Sequence, residues 1–210
     1  MNKKRIRQMD LALRRRLADR PAADCFAGHD ELLRRIETEG YMQRFAPLFT
    51  GARLRCADVL ALCRERGLTL SAAESITGGL IAKCITDVPG ASQVFLGGVV
   101  SYTNEVKNHV LGVPSSLLEA YGAVSEPVAR AMAMGVRVLT GSDLAVAVTG
   151  LAGPDGDDRG NPVGTVFAAL SAPEGVFVRR LALSGDREHI RALTAHHAFD
   201  LLINQLTEGE

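Results

Sequence analysis

The sequence has no tryptophan, a formal net charge of zero and only 5% aromatic residues. A neutral chain has no general attraction for nucleic acid or for an anionic membrane, so any anion site must be local. Stacking on nucleic acid also requires aromatic side chains within a basic stripe. The basic N-terminal segment offers only Phe26, Tyr41, Phe45 and Phe49 for that purpose. We therefore expect a small-molecule partner, and neither a nucleic acid nor a membrane.

Long apolar runs, clustered cysteines and metal-ligand spacings are missing as well. No apolar stretch approaches the ~18 residues of a membrane span, and the N-terminus lacks the apolar core of a signal peptide. The expected location is the cytoplasm. The four cysteines are scattered in a chain large enough to fold without disulfides, so we expect reduced thiols. The adjacent His196 and His197 point to different sides of a predicted helix, and we expect no metal and no cofactor.

The order of the apolar runs predicts an α/β fold. Residues 1–52 alternate arginine-rich and leucine-rich stretches, a pattern typical of amphipathic helices, and form a predicted helical N-terminal extension. In the remaining domain, 53–210, short apolar strands alternate with helices, which indicates a largely parallel sheet. The runs 165–171 and 176–183 flank a turn and predict an antiparallel hairpin. The expected architecture has three layers, with a mixed, mostly parallel sheet and helices on both faces.

The same patterns predict the individual elements of this domain. Periodicity, caps and breakers indicate where each begins and ends. We predict a helix that ends at Gly67, a strand over 68–72, a helix over 80–85, a buried strand over 95–102, a helix that has Ser125 as its N-cap and reaches Val138, a strand over 144–149 and a last helix over 186–205.

The segment Ala73–Gly79 places a serine between a strand-like run and a helical run. Two glycines leave backbone N–H groups uncovered at the start of the helix, where their partial positive charge suits an oxyanion or a phosphate. Ser75 is therefore a candidate nucleophile. Taken alone, the segment is equally consistent with a helix cap formed by Ser75 or Thr77 and a turn formed by the glycines.

Two more polar sets follow predicted strands, where open α/β sheets bind their ligands. One contains Tyr102, Asn104 and Lys107, and the other is the glycine-rich loop 150–164, entered through Thr149. No histidine lies beside a nucleophile motif, so a lysine of lowered pKa is the candidate base for a serine. Lys107 fits that role, with Tyr102 placed to relay or orient the proton. The alternative for Lys107 is a solvated lysine on a helix surface, and the alternative for the loop 150–164 is a mobile surface loop without a role in binding.

Seven sequence blocks, in order over residues 55–206, resemble the C-terminal-domain family of CinA. Stand-alone members of that family are nicotinamide-nucleotide amidohydrolases, also called NMN deamidases. The blocks are AESITGG (73–79), GVVSYTNEVK (98–107), LGV (111–113), GAVSE (122–126), TGLAGPDG (149–156), PVGTV (162–166) and SGDR (184–187).

The resemblance implies a serine amidohydrolase that converts nicotinamide mononucleotide and water to nicotinate mononucleotide and ammonia, a step of pyridine nucleotide salvage. It implies Ser75 as nucleophile, Lys107 as general base and Tyr102 as its polar companion. Arg187 would hold the phosphate, and Gly90 with the Gly78 and Gly79 backbone would line the oxyanion side. The implied substrate-binding residues are Thr77, Gly78, Gly79, Gly90, Asn104, Thr149, Gly150, Gly153 and Arg187. We also expect a homo-oligomer, a dimer or higher.

The chain departs from the family pattern in two places. Ile76 stands where the family usually has cysteine, and we expect this to change packing rather than chemistry. Longer members carry an N-terminal nucleotide-processing domain, for which the short extension here is no substitute, so that second activity is expected to be absent. The alternative function is a non-catalytic nucleotide-binding or regulatory module of the competence/damage-inducible family. Retention of Ser75, Tyr102 and Lys107 together favours the enzyme.

Overall fold

The structure, a computed structural model, describes residues 55–207. The predicted N-terminal extension, 1–52, lies outside the described residues, as does Cys25. The helices are α1 (55–66), α2 (Leu80–Thr86), α3 (Asn104–His109), α4 (Ser115–Tyr121), α5 (Glu126–Thr140) and α6 (Arg187–Thr207). The strands are β1 (Leu70–Glu74), β2 (Phe95–Val100), β3 (Leu144–Gly150), β4 (Thr165–Ala172) and β5 (Gly175–Ala182).

The strands form one mixed sheet in the order β2-β1-β3-β4-β5. β1 pairs in parallel with both β2 and β3, whereas β4 is antiparallel to β3 and to β5. Four of the five strands therefore run in the same direction, and β4 and β5 form the predicted hairpin. The mixed, mostly parallel sheet is confirmed.

Two apolar cores cover the two faces of the sheet, as the predicted three layers require. One core packs α1, α2 and α6 against one set of strand residues, which includes Ala72 and Val146. The other packs α5 and the α3–α4 region against the alternate set, which includes Ala73 and Ala147. Because side chains of a strand alternate between faces, β1 and β3 contribute to both cores; β1 is buried throughout and β3 is buried up to Thr149.

The prediction of a buried strand over 95–102 is wrong in its burial. β2 ends at Val100 and lies at the edge of the sheet, where its side chains alternate in exposure. Leu96 and Val100 are each 48% exposed. An apolar run does not distinguish an edge strand from a central one, because the order of strands in the sheet differs from their order in the chain.

The other predicted elements lie within a few residues of their predicted bounds, whereas α3 and α4 are helices that the sequence analysis did not predict. The helix predicted to have Ser125 as its N-cap and to reach Val138 is α5, which begins at Glu126 and continues two residues further, to Thr140. Ser125 occupies the N-cap position, but its hydroxyl donates to the Gly122 carbonyl oxygen and does not accept a bond from the helix. Within 55–207, no helix is long and apolar enough to cross a membrane.

Candidate active site

The carboxyl ends of three neighbouring parallel strands bring polar side chains together. The register pairs Glu74 of β1 with the last residue of β2 and with Val148 of β3. The next residue along each strand is therefore polar and adjacent to the others: Ser75, Ser101 and Thr149. This is the edge at which open α/β sheets bind their ligands.

Lys107 reaches Ser75 from α3. Its Nζ lies 3.1 Å from Ser75 Oγ and donates to the Ser101 carbonyl oxygen at 2.6 Å. The helix that carries it starts at an N-cap threonine, Thr103, whose hydroxyl accepts a bond from the Val106 N–H. Lys107 is only 1% exposed, and burial lowers its pKa from 10.5 to about 8. The neutral amine that a general base requires is therefore accessible near physiological pH.

Glu74, the residue before Ser75, is a buried carboxylate that sequence reasoning missed. Its Oε2 accepts the N–H groups of Gly79 at 2.9 Å and Ile81 at 3.0 Å, and its Oε1 accepts that of Ala82 at 2.8 Å. The first turn of α2 is thus capped by a carboxylate from within the chain. An acidic residue five positions before a glycine N-cap, with no Ser, Thr, Asp or Asn to cap that helix, is the signal that could have found it.

This capping corrects the prediction that the Gly78 and Gly79 backbone faces an oxyanion. The Gly79 N–H is bonded to Glu74, and the Gly78 N–H donates to the Ser75 carbonyl oxygen at 3.2 Å. Thr77 does not line the cavity that contains Ser75 either. It is fully buried, and its carbonyl oxygen accepts a bond from Arg191.

A cavity of about 280 Å³ opens over Ser75. Its wall includes Ile76, at the position where the family usually has cysteine, and Asp155 from the glycine-rich loop. The Thr149 hydroxyl donates to the Ala123 carbonyl oxygen, so it shapes the wall while its own proton is engaged. Of the residues predicted for the site, the cavity brings together Ser75, Tyr102, Lys107, Thr149, Gly150, Gly153 and Arg187.

Arg187 and Tyr102 meet at this cavity. The Arg187 guanidinium donates to the Gly153 carbonyl oxygen at 2.9 Å and to the Tyr102 hydroxyl at 3.4 Å. Tyr102 is 62% exposed. Its hydroxyl is bonded to Arg187 and not to Lys107, so the structure does not support a proton relay through Tyr102.

Two predicted site residues lie elsewhere. Gly90 precedes β2 at the amino end of the strand, beside Arg64 of α1, whose guanidinium donates to the Pro89 carbonyl oxygen. Asn104 is the first residue of α3 and lines a separate cavity of about 370 Å³ between α3 and α4. Neither residue contacts the Ser75 cavity. Gly90 lies at the opposite end of the strands from Ser75, and Asn104 lies on a side of α3 that faces the other cavity.

Hydrogen bonds hold the glycine-rich loop in place. The Asp157 carboxylate accepts from the N–H groups of Arg159 and Asn161 and from the Asn161 side-chain amide. The Arg159 guanidinium in turn donates to the carbonyl oxygens of Glu119 and Ala120 at the end of α4. The loop that contributes Gly153 and Asp155 to the cavity is therefore anchored to a helix.

The described cysteines are Cys56, Cys63 and Cys84, and all three are buried. Burial raises the pKa of Cys56 to about 12 and that of Cys63 to about 11, so both thiols stay protonated. Over residues 55–207, no three side chains of histidine, cysteine, aspartate or glutamate come together as metal ligands would.

Fold and site together define a mixed α/β domain that presents a serine–lysine pair at the carboxyl edge of its parallel strands. Residues 55–206 match the CinA C-terminal domain, and the chain belongs to that family.

Similar proteins support this membership. A CinA-like protein of Geotalea uraniireducens (strain Rf4) is 54% identical over 148 residues, which are 70% of this chain and 35% of that protein. Another, from Geobacter sulfurreducens, is 55% identical over 148 residues, with 70% and 36% covered. The chain thus spans about a third of the length of these curated relatives.

Solved structures show the same fold. A CinA superfamily protein from Klebsiella pneumoniae superimposes with a TM-score of 0.73 at 32% identity, covering 75% of this chain and 98% of that one. The competence/damage inducible protein CihA from Agrobacterium tumefaciens superimposes with a TM-score of 0.70 at 38% identity, covering 73% and 94%.

Proposed function

We propose that this chain hydrolyses the carboxamide of nicotinamide mononucleotide to nicotinate mononucleotide and ammonia. Ser75 is the nucleophile and Lys107 the general base. The observation that carries the proposal is the 3.1 Å separation between Ser75 Oγ and the Nζ of a buried lysine. No acidic residue among 55–207 forms an ion pair with Lys107, and burial alone lowers its pKa to about 8. An amine in that environment can accept a serine proton.

The reaction proceeds in two stages. Neutral Lys107 takes the proton of Ser75 Oγ as the oxygen attacks the carboxamide carbon. The tetrahedral intermediate expels ammonia, to which the Lys107 ammonium returns the proton, and leaves an ester of Ser75. Lys107 then activates a water molecule that attacks this ester, which releases the carboxylate product and regenerates Ser75.

An oxyanion donor is required in both stages. Glu74 already engages the first-turn N–H groups of α2, so the donor must come from elsewhere. Ile76 follows the nucleophile and lines the cavity, and its N–H has no hydrogen-bond partner among residues 55–207. We assign that N–H as one donor. A backbone group serves this purpose equally well with isoleucine or cysteine at the position.

The remaining cavity groups suit a pyridine nucleotide. The exposed ring of Tyr102 offers a surface on which a flat heterocycle can stack. Arg187 places a guanidinium fork at the same cavity, and such forks bind phosphate through paired charge-assisted hydrogen bonds. Thr149, Gly150 and Gly153 form the wall between these groups and the serine–lysine pair.

Ammonia release from nicotinamide mononucleotide tests the proposal. The wild-type protein is expected to release ammonia, and Ser75→Ala to release none while it still binds the nucleotide by calorimetry. The matched control is Ser101→Ala, because Ser101 is also buried beside the pair but holds Lys107 through its backbone carbonyl. That variant is expected to keep most of its activity. A wild-type protein that binds the nucleotide without releasing ammonia would indicate the non-catalytic alternative.

A further inference from the structure

Glu74 is buried without touching the substrate cavity. It is 1% exposed, and its carboxylate accepts three N–H groups from the first turn of α2. A buried carboxylate is costly unless its hydrogen bonds are made, so these bonds must be kept in the folded state. The carboxylate faces these donors, and Glu74 is not among the residues that line the cavity, so we assign it no direct contact with the substrate.

The position of Glu74 makes it a clamp on the Ser75 turn. α2 has seven residues, and its N-cap is Gly79, which has φ +100° and no side chain to cap the helix. Glu74 supplies that cap from the last residue of β1. The turn 75–78 is therefore closed at one end by the backbone of Glu74 and at the other by its side chain.

The backbone of Glu74 also contacts the residue that holds Lys107. Its carbonyl oxygen accepts the Ser101 N–H at 2.7 Å and the Ser101 hydroxyl at 3.4 Å. The Ser101 carbonyl oxygen in turn accepts from Lys107 Nζ. Glu74 is thus adjacent in sequence to the nucleophile, and it is connected to the base through hydrogen bonds to a single intervening residue, Ser101.

We propose that Glu74 is a positioning residue for the serine–lysine pair: its carboxylate fixes the turn that sets Ser75 Oγ against Lys107 Nζ. This inference rests on the proposed function. The residue contributes to the chemical step and not to substrate binding, because it does not contact the cavity. Misplacement of a nucleophile by about an ångström can lower a rate by ~100-fold.

Glu74→Gln is the most direct test, because it keeps the shape and one oxygen. That oxygen can still accept from Gly79 and Ile81, whereas the amide NH₂ faces the Ala82 N–H, donor against donor. We expect kcat for nicotinamide mononucleotide to fall at least tenfold, with KM changed less than twofold. Glu74→Ala, which loses all three bonds, is expected to show a larger loss of kcat and the same KM.

The matched control is Asp143→Asn. Asp143 is the residue before β3, and its carboxylate binds the chain at the end of β1 opposite to Glu74. The Asp143 carboxylate accepts the N–H of Thr69 at 2.8 Å and its hydroxyl at 2.6 Å, just before β1. This variant also disrupts a carboxylate that anchors β1, so its melting temperature is expected to fall. Its kcat is expected to stay within twofold of the wild type, because Asp143 lies at the amino ends of β1 and β3 and Ser75 lies at their carboxyl ends.

A second readout does not depend on the nucleotide. The rate at which a fluorophosphonate probe labels Ser75 measures the reactivity of the hydroxyl itself. After normalisation to the folded fraction by circular dichroism, Glu74→Gln is expected to be labelled at least tenfold more slowly than the wild type. Asp143→Asn is expected to be labelled at the wild-type rate.

The outcomes separate this inference from the proposed function. If the wild type is labelled at Ser75 but releases no ammonia, the proposed function fails and the labelling rates alone decide the role of Glu74. If Glu74→Gln matches the wild type in kcat or in normalised labelling rate, the inference is overturned. It is also overturned if Glu74→Gln and Asp143→Asn lose activity in equal proportion to their loss of folded protein.

Discussion

Burial of Lys107 costs folding free energy in proportion to the lowering of its pKa. The folded-state pKa is about 8, against 10.5 for the ordinary side chain. Between those values the unfolded chain holds a proton that the folded chain has released, so stability rises with pH over that interval. Below pH 8 both states hold the proton and the cost is present in full, whereas above 10.5 it is gone.

This linkage predicts how wild type and Lys107→Met differ with pH. We expect the free energy of unfolding of the wild type, relative to the variant, to increase by about 3 kcal/mol from pH 7 to pH 11, at ~1.4 kcal/mol per pKa unit. Urea unfolding of both proteins across this range is the measurement. Taking the difference between the two proteins cancels the contributions of all other titrating groups. A constant difference would mean that Lys107 titrates normally.

Arg187 is predicted to act in phosphate recognition. Arg187→Ala is expected to raise KM for nicotinamide mononucleotide at least tenfold, because charge-assisted hydrogen bonds are worth ~1.5–3 kcal/mol. We expect kcat to change less than threefold, since Arg187 does not contact the Ser75–Lys107 pair. Steady-state ammonia release provides both constants. The control substrate is nicotinamide riboside, which lacks the phosphate and is expected to lose nothing in the variant.

The residues of the site differ in how far the sequence could predict them. Ser75 follows a strand and precedes glycines, and the family resemblance connects it to Lys107, so both residues could be predicted from the sequence. The contact of Lys107 with the Ser101 carbonyl oxygen could not be predicted, because any residue type can supply a backbone acceptor. Gly90 and Asn104 lie away from the Ser75 cavity, because a local sequence pattern does not show at which end of a strand or on which side of a helix a residue lies.

Gly135 allows α5 to pack directly against the backbone of the α3–α4 connection. A Cβ built there would lie 1.9 Å from the Leu111 carbonyl oxygen. Gly to Ala within a helix normally stabilises by ~1 kcal/mol, but here the added methyl must displace backbone. We expect Gly135→Ala to destabilise the protein by ~1–3 kcal/mol, the usual cost of overpacking.

Thermal unfolding tests whether Gly135→Ala lowers the stability of the protein instead of raising it. The control is Val138→Ala, one turn along the same helix, where the side chain is 84% exposed. That change removes a β-branched residue from an exposed helical position and is expected to leave stability unchanged or slightly higher. Equal stabilisation by both substitutions would contradict the close approach of α5 to Leu111.

All five strands and the helices other than α3 and α4 were predictable to within a few residues, since their periodicity and their glycine and proline breakers are local properties of the sequence. The order of the strands in the sheet could not be predicted in the same way. β2 follows β1 in the chain but occupies an edge, and its apolar run is read correctly only once β3 is known to lie on the other side of β1. Tertiary pairing, which no local pattern encodes, decides which apolar strand is exposed.

For the whole molecule, residues 55–207 contain the sheet, both cores and the candidate site. Deletion of residues 1–52 is therefore expected to leave kcat within threefold of the full chain. Short amphipathic segments need a surface to pack on, so we expect the deletion to lower the melting temperature or to change the oligomer. Kinetics and light scattering on the truncated protein provide the comparison. Loss of turnover with unchanged stability and oligomer would place a catalytic contribution in the extension.

We propose that Lys107 activates Ser75 by accepting its proton, and the pH dependence of kcat/KM for ammonia release distinguishes this role from a purely structural one. The base must be neutral, so the wild-type rate is predicted to rise about tenfold per pH unit below its pKa and to level off above about 8. Lys107→Arg, which cannot deprotonate, is predicted to be nearly inactive at every pH. A wild-type rate that does not change between pH 6 and 9, or a Lys107→Arg variant with substantial turnover, would show that Lys107 is not the general base.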